Sequence, residues 1–267
     1  MSAAVDNAAP ATAAPAGRVR FDRRALATAG VALGALAFGA IVASPGLVAR
    51  VLVALLGSQP DPVFQTPLSD LVLQHLEIVL IPVGLTLVVG LPLGVWVTRE
   101  SGRDFRAVVS ASVDFGQVFP PIAVLAIMLG VLGITVWPAV VALFLYGLFP
   151  LVSGTISGLD AVPASVIDSA RGMGMGKWRI LFTVELPLAL EVIAAGVRTA
   201  TIYIVGTATV AAAAGAGGLG LPIFTGISTQ NTGYILTGAL AVSALALVLD
   251  GALAVLGMWL TPAGLRE

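Results

Sequence analysis

Six apolar stretches recur along the chain, at residues 25–44, 71–97, within 107–132, within 134–155, 186–213 and 234–260. Each is about the length of ~20 residues that an α-helix needs to cross a bilayer. In hydrocarbon no water is present to pair with peptide groups. A spanning segment must satisfy its own backbone, which leaves the helix or the closed barrel. Long apolar runs without strict alternation choose the helix. The expected fold class is all-α, a polytopic membrane protein of about six transmembrane helices. Composition agrees: 58% of the residues are hydrophobic and 10% are charged, against about 25% charged in a soluble domain.

The segments between the runs set the expected organisation. Residues 1–24 are rich in Ala and Pro and end in Arg18, Arg20, Arg23 and Arg24, which reads as a disordered cytoplasmic tail with a basic flank. Residues 25–57 read as an N-terminal membrane anchor and an interfacial helix. The first run exceeds the ~7–15 apolar residues of a cleaved signal, and Pro45 is expected to end it. The stretch 46–57 is too short to span and contains Arg50. Residues 70–260 form the main transmembrane domain, with a loop at 156–187, and 261–267 form a short tail.

Basic residues orient this arrangement. With the N-terminus in the cytoplasm, 11 of the 13 Lys and Arg residues fall on the cytoplasmic side, Arg50 lies outside and Arg198 lies in a span. The positive-inside rule then places both termini in the cytoplasm. The expected location is a bacterial cytoplasmic membrane.

Several chemistries are excluded early. Net charge is −1, so no broad basic surface for nucleic acid exists. The absence of Cys removes thiolate metal sites and disulfides, and His75 is the only histidine. No metal site, cofactor or catalytic set is expected on this chain. The chain lacks a G-x-x-x-x-G-K-[ST] segment, so ATP would have to bind elsewhere. Gly215-Ala-Gly-Gly-Leu-Gly220 fits G-x-G-x-x-G, but it follows a membrane helix and no acidic residue occurs before Asp250. A dinucleotide site needs a strand before it and an acid ~20 residues on. A glycine-rich turn or gate, with Gly217 and Gly220 as candidates, is the better reading.

The 156–187 loop carries the strongest signal. Ser165 followed by Asp168 resembles a capping-box start. A short helix with the small residues Ser169 and Ala170 is then expected. Gly172, Gly174 and Gly176 should break it, and Trp178, Ile180, Leu181 and Phe182 lead back into the membrane. A short helix held outside the bilayer between two spans is a candidate docking peg for a cytoplasmic partner.

Its spacing resembles the EAA loop of ATP-binding-cassette (ABC) importer permeases, which reads Glu-Ala-Ala, three residues, Gly, nine residues, Ile, one residue, Leu-Pro. Here Asp168, Ser169, Ala170, Gly174, Val184, Leu186 and Pro187 occupy those positions. The resemblance implies that they form the ATPase-coupling loop of a type I ABC importer permease fold. From about residue 70 to 250 the chain is similar to permeases for glycine betaine, choline and carnitine. The stretches that carry this include Gly90-Leu-Pro-Leu-Gly94, Gly116-Gln-Val-Phe-Pro-Pro121, Ala195-Gly-Val-Arg-Thr-Ala200 and Gly206-Thr-Ala-Thr209. The implied function is the permease subunit of an ATP-driven osmoprotectant importer. The implied partners are ABC ATPase subunits, a second permease subunit (the same or homologous), an extracytoplasmic substrate-binding protein and the lipid bilayer. In such systems an aromatic cage on the binding protein selects the quaternary ammonium by cation–π attraction. This chain, with three Tyr and four Trp, has no evident cage. Importers of methionine or another small solute, and an ion-coupled secondary transporter, are the competing readings.

Candidates within the membrane follow from chemistry. Pro120 and Pro121, beside Gln117 and Phe119, should break the third span, and broken helices often line a route for substrate. Tyr146, Tyr203, Thr207 and Thr209 are further candidates for the translocation path. A charge near the bilayer centre costs about 2.5 kcal/mol or more and seeks a partner. Glu191 and Arg198 are seven apart on one helix face, so Arg198 is expected to pair with Glu191 or with Asp250. His75 is expected to serve packing. Gly90 with Gly94 and Gly154 with Gly158 offer close helix contacts.

Overall fold

A computed structural model describes residues 23–56 and 65–261, and every regular element among them is helical. The expected disordered tail (residues 1–22 of it), residues 57–64 and the tail from 262 lie outside the described residues. The α-helices are α1 (Arg23–Ala43), α2 (Pro45–Leu56), α3 (Leu68–Val97), α4 (Arg106–Val118), α5 (Pro121–Leu132), α6 (Trp137–Asp160), α7 (Ala164–Gly172), α8 (Lys177–Ile180), α9 (Leu186–Ala211), α10 (Gly220–Ser228) and α11 (Thr232–Leu260).

Five continuous helical stretches among the described residues are long and apolar enough to cross a membrane. They are 25–43, 68–97, 137–160, 177–214 and 232–260. Helices α4 and α5, bent by 95° at a break between 116 and 121, pass the same test only when taken together, and would bring the number to six if the bent pair is one span. The expected break in the third span falls at Phe119 and Pro120, whose backbones are extended (φ −73, ψ 134 and φ −61, ψ 135). A proline both lacks an N–H and crowds the preceding turn, so α5 starts afresh at Pro121. The first span ends at Ala43, just before Pro45 as expected, and Pro45 also opens α2, because a proline is well tolerated in a helix's first turn.

Helix α6 is the centre of the bundle and packs against both α3 and α9. Lipid is as apolar as the side chains, so close packing rather than water exclusion must hold the helices together. Glycine supplies the closeness. A Cβ added at Gly94 would lie 2.7 Å from Thr155 Cβ, and one added at Gly154 would lie 2.9 Å from Gly196 Cα. Around these contacts, Leu71, Ile78 and Val79 of α3 meet Leu143 of α6, Ile204 and Val205 of α9, and Leu245 of α11 in a buried cluster.

The two N-terminal helices join the bundle along α11. Helix α1 lies along α11, with Val31 Cγ2 only 2.6 Å from where a Gly251 Cβ would stand. Helix α2 also packs on α11. The outward residues of these spans, including Leu36, Val88 and Leu247, are large, apolar and exposed, as a lipid-facing surface requires. The end of the bundle formed by the α3–α4 turn and the α6–α9 connection carries Arg99, Arg103, Arg106, Arg171, Lys177 and Arg179. It is called the basic end below.

Candidate functional site

At the basic end the chain leaves α6 and enters α7 through Pro163. The expected capping box does not form. Pro163 takes the cap position (φ −61, ψ 131) with no side-chain cap bond, and Ser165 lies inside the first turn. Proline fixes the entry dihedral two residues earlier than Ser165 would. The Pro163 carbonyl accepts from the N–H groups of Val166 and Ile167. Ser165 becomes an acceptor instead: Ser169 Oγ donates to its carbonyl at 2.7 Å.

Helix α7 stops in a defined way. Met175 N–H donates to the Ala170 carbonyl at 3.1 Å, Gly174 N–H donates to the Arg171 carbonyl at 2.9 Å, and Gly174 holds φ +80. This is a Schellman-type ending, whose left-handed residue favours glycine. The glycine of the spaced motif is therefore required by backbone geometry.

The two faces of α7 differ sharply. Ala170 is 2% exposed and packs inward, so it does not present itself to a partner. Asp168, Ser169, Arg171 and Gly172 are exposed, and Met173 is 76% exposed. Arg171 Nη1 approaches Asp168 Oδ1 at 3.3 Å. Beyond α7, Trp178 and Phe182 are exposed and stacked, with ring centroids 6.2 Å apart. Met173 was not singled out from the sequence, and Trp178 and Phe182 were read only as leading back into the membrane, not as an exposed stacked pair. A methionine at a glycine-rich helix end was the available signal.

Val184, Leu186 and Pro187 lie where the segment re-enters the bundle. Leu181–Glu185 is a π-turn joining α8 to α9. Leu186 N–H donates to the Leu181 carbonyl, the five-residue step that defines such a turn. Pro187 explains it. A continuous α-helix would press the proline ring on the Thr183 carbonyl, and the wider turn relieves that contact.

Ion pairs tie this segment to the α3–α4 turn. Arg99 Nη2 lies 2.5 Å from Glu185 Oε2, and Lys177 Nζ lies 2.5 Å from Glu100 Oε2. Arg106 pairs with Asp160 at the end of α6. The hydrogen bond from Lys177 and then its charge hold the Glu100 carboxyl below its ordinary value, with smaller help from Arg103 and Arg171. Sequence spacing gave no hint of these pairs, because their members come from separate elements.

The path candidates are scattered. Gln117, Phe119, Pro120 and Pro121 gather at the α4–α5 break; the side chain of Gln117 lies outside the described ones. Phe119 meets Phe115 edge-on at 5.1 Å. Tyr146 is buried on α6 while Tyr203 of α9 is half-exposed, so the two tyrosines do not share one open surface. Thr207 and Thr209 are part-buried on α9. Thr209 and Gly220 come together: a Cβ on Gly220 would stand 2.1 Å from the Thr209 carbonyl oxygen.

The glycine-rich turn is latched to α3. Gly215, Gly217 and Gly218 all have positive φ. Gln74 Oε1 accepts from Gly218 N–H at 3.2 Å. The His75 ring is fully buried beneath Gly218, and its Nε2 lies 3.2 Å from the Val205 carbonyl. Gln74 was not expected to matter here; a polar side chain in an apolar span was the signal.

Arg198 and Asp250 form a two-pronged contact between α9 and α11. Nε donates to Oδ1 at 2.8 Å and Nη2 to Oδ2 at 2.7 Å. Glu191, the other expected partner, is exposed nearer the start of α9. Among the described residues no cluster of three or more metal-ligating side chains occurs.

Comparison with known proteins places this geometry. Residues 90–261 match the family described as binding-protein-dependent transport system inner membrane component. The glycine betaine/carnitine/choline transport system permease protein OpuCB of Bacillus subtilis is 41% identical over 193 residues, covering 72% of this chain and 88% of the relative. The choline transport system permease protein OpuBB of the same organism is 42% identical over 194 residues, covering 73% and 88%. The osmoprotectant import permease protein OsmY of Salmonella typhimurium is 41% identical over 189 residues, covering 71% and 80%. A chain of the MetNI methionine ABC transporter, solved in inward-facing conformations, superposes with a TM-score of 0.65 at 24% identity. That match covers 74% of this chain and all of the other, which makes it a likeness of fold. The chain therefore belongs to the family of binding-protein-dependent inner-membrane permeases of ABC importers, beside the osmoprotectant permeases that it matches.

Proposed function

We propose that this chain is the membrane subunit of an ATP-driven importer for glycine betaine or a related quaternary-amine osmoprotectant. The observation that carries this is the 41% identity, across 88% of its length, to a permease named for glycine betaine, carnitine and choline. Other relatives at similar identity are named for choline and for osmoprotectants. The likeness to a methionine transporter extends to the fold only, so it does not favour methionine.

In this reading the basic end faces the cytoplasm, in line with the positive-inside rule. A separate ATPase subunit docks on the exposed face of α7, against Asp168, Ser169, Arg171 and Met173. Ala170, Gly174, Val184, Leu186 and Pro187 shape the segment from within. A second permease subunit, identical or homologous, completes the pathway, and an external binding protein delivers substrate. In this reading the break at Phe119–Pro121 and the glycine turn at 215–220, latched to α3 by Gln74, are the gate elements of the route. ATP binding draws the ATPases together and favours the outward-open state, and hydrolysis returns the bundle. The difference in ATP affinity between the two states supplies the shift.

The test is reconstitution with the cognate ATPase, permease partner and binding protein. ATP-dependent uptake of radiolabelled glycine betaine, competed by choline or carnitine, is expected. A cysteine at Met173 should cross-link to the ATPase. Uptake that persists without the ATPase, or that only methionine inhibits, would sink the proposal.

A further inference from the structure

Three ion pairs connect a single turn, residues 99–106, to both ends of the 160–185 segment. They are not equivalent. Lys177 and Glu100 are both highly exposed, and Arg106 and Asp160 are exposed as well. Water and ions screen such pairs, and they hold little. Glu185 is different. It is 6% exposed and sits at the last position of the π-turn, facing Arg99 at 2.5 Å.

Arg99 is itself held in place. Its Nε and Nη2 donate to Thr98 Oγ1 at 3.2 and 3.0 Å, and Thr98 Oγ1 donates to the Val95 carbonyl at 2.7 Å. The guanidinium is thereby fixed to the last turn of α3. Helix α3 is packed along α6 through Gly90 and Gly94. A rigid line runs from the centre of the bundle, through the end of α3 and the Arg99 guanidinium, to the root of the segment bearing α7. Glu185 itself closes the π-turn at 181–185, a rare hydrogen-bond pattern whose five-residue step departs from the α-helix on either side and which is frequent at functional sites. A force on α7 reaches α9 through that turn. A charged strut at its last residue would keep it from absorbing the motion.

We propose that Arg99 and Glu185 are a positioning pair that converts displacement of α7 into movement of α3 and α9 together. This rests on reading α7 as the ATPase docking helix. The role is mechanical: neither residue touches substrate or nucleotide. Removing the charge should let the π-turn yield, so that ATP is hydrolysed without matching transport.

The experiment uses the full reconstituted importer and follows glycine betaine uptake and ATP hydrolysis in the same vesicles. Glu185→Gln keeps the side-chain volume and removes the charge; Arg99→Glu and Glu185→Arg reverse the charges singly and together. Uptake per ATP hydrolysed is expected to fall about tenfold in the single variants and to recover at least partly in the double reversal. A purely structural role would lower assembly and both rates together, leaving their ratio unchanged. An unchanged ratio in Glu185→Gln, or a double reversal no better than the sum of its parts, overturns the proposal. Should the reversals not assemble, Glu185→Gln decides alone. Cross-linking from Met173→Cys to the ATPase keeps the two ideas apart. If it fails in the unaltered background, the docking reading itself is wrong; if it succeeds while the ratio stays constant, only the strut is lost.

Discussion

Truncating Asp250 to Ala should be among the most damaging single changes in the membrane interior. Asp250 lies ten residues before the end of α11, or ~15 Å at 1.5 Å per residue, and Arg198 lies ~18 Å into α9. Both depths are near the middle of a hydrocarbon layer ~30 Å thick. The pair is 37% and 24% exposed on the isolated chain, but at that depth the exposure faces lipid or another subunit. Removing the carboxylate strands the guanidinium, at about 2.5–3.5 kcal/mol on insertion scales. Some relief from water drawn into the gap lowers the expected loss to about 2–3 kcal/mol. Arg198→Ala should cost a similar amount. Replacing both at once, as Arg198→Met with Asp250→Leu, leaves no stranded charge, and apolar substitution of a whole pair is often neutral. The double variant should therefore lie within about 1 kcal/mol of the original chain. Unfolding in mixed micelles, titrated with SDS and read by tryptophan fluorescence, measures the original chain, Arg198→Met, Asp250→Leu and the double variant, the four species that close one cycle. A coupling energy below about 0.5 kcal/mol, the ordinary scatter of independent sites, would refute the reasoning. Uptake by the double variant then separates roles: a stable protein that no longer transports would assign the pair to the cycle, and normal uptake would leave it as structural glue.

Two further outcomes follow from the geometry. Gly218→Ala must place a Cβ at φ +73 and within 3.0 Å of His75 Nδ1, so a destabilisation of about 1–2 kcal/mol is expected in the same titration; no loss would mean that the turn is not held against α3. The Glu100–Lys177 tie should be insensitive to pH in the physiological range. Its folded carboxyl value is lowered chiefly by the Lys177 hydrogen bond, so its contribution is complete above the unfolded value of about 4.3 and is lost only as pH falls through the lower folded value. Glu100→Gln should leave uptake unchanged between pH 6 and 8, and a variant with altered uptake there would show that this exposed tie matters more than its screening allows.

What could be read from the sequence divides along a physical line. Spans announce themselves because a bilayer imposes one length and one polarity on every crossing segment, and the run at 71–97 required no knowledge of its neighbours to be identified. Gly174 was legible for a related reason. A helix end that needs left-handed backbone selects its residue locally. Pro187 was visible too, yet its consequence was not. A proline announces that the α-helical pattern must give way, but whether the chain kinks, breaks as at Pro120 or widens into the π-turn at 181–185 depends on what packs around it. Ser165 misled because the capping pattern is judged over four residues, whereas the entry to α7 was already set by Pro163 just upstream. The partner of Arg198 posed a harder problem. Glu191 shares its helix face, but a separation of seven residues is two turns, ~10 Å along the axis, while Asp250 arrives from a helix packed alongside and meets the guanidinium fork squarely. The same reason hides Arg99 and Glu185. Each sits in a locally unremarked stretch, and only the crossing of α3 with the root of α9 makes them one object. Elements whose selection acts within a turn or against a uniform solvent are therefore readable in advance. Devices that transmit force between elements are not, since their meaning lies in a juxtaposition that no window of sequence contains.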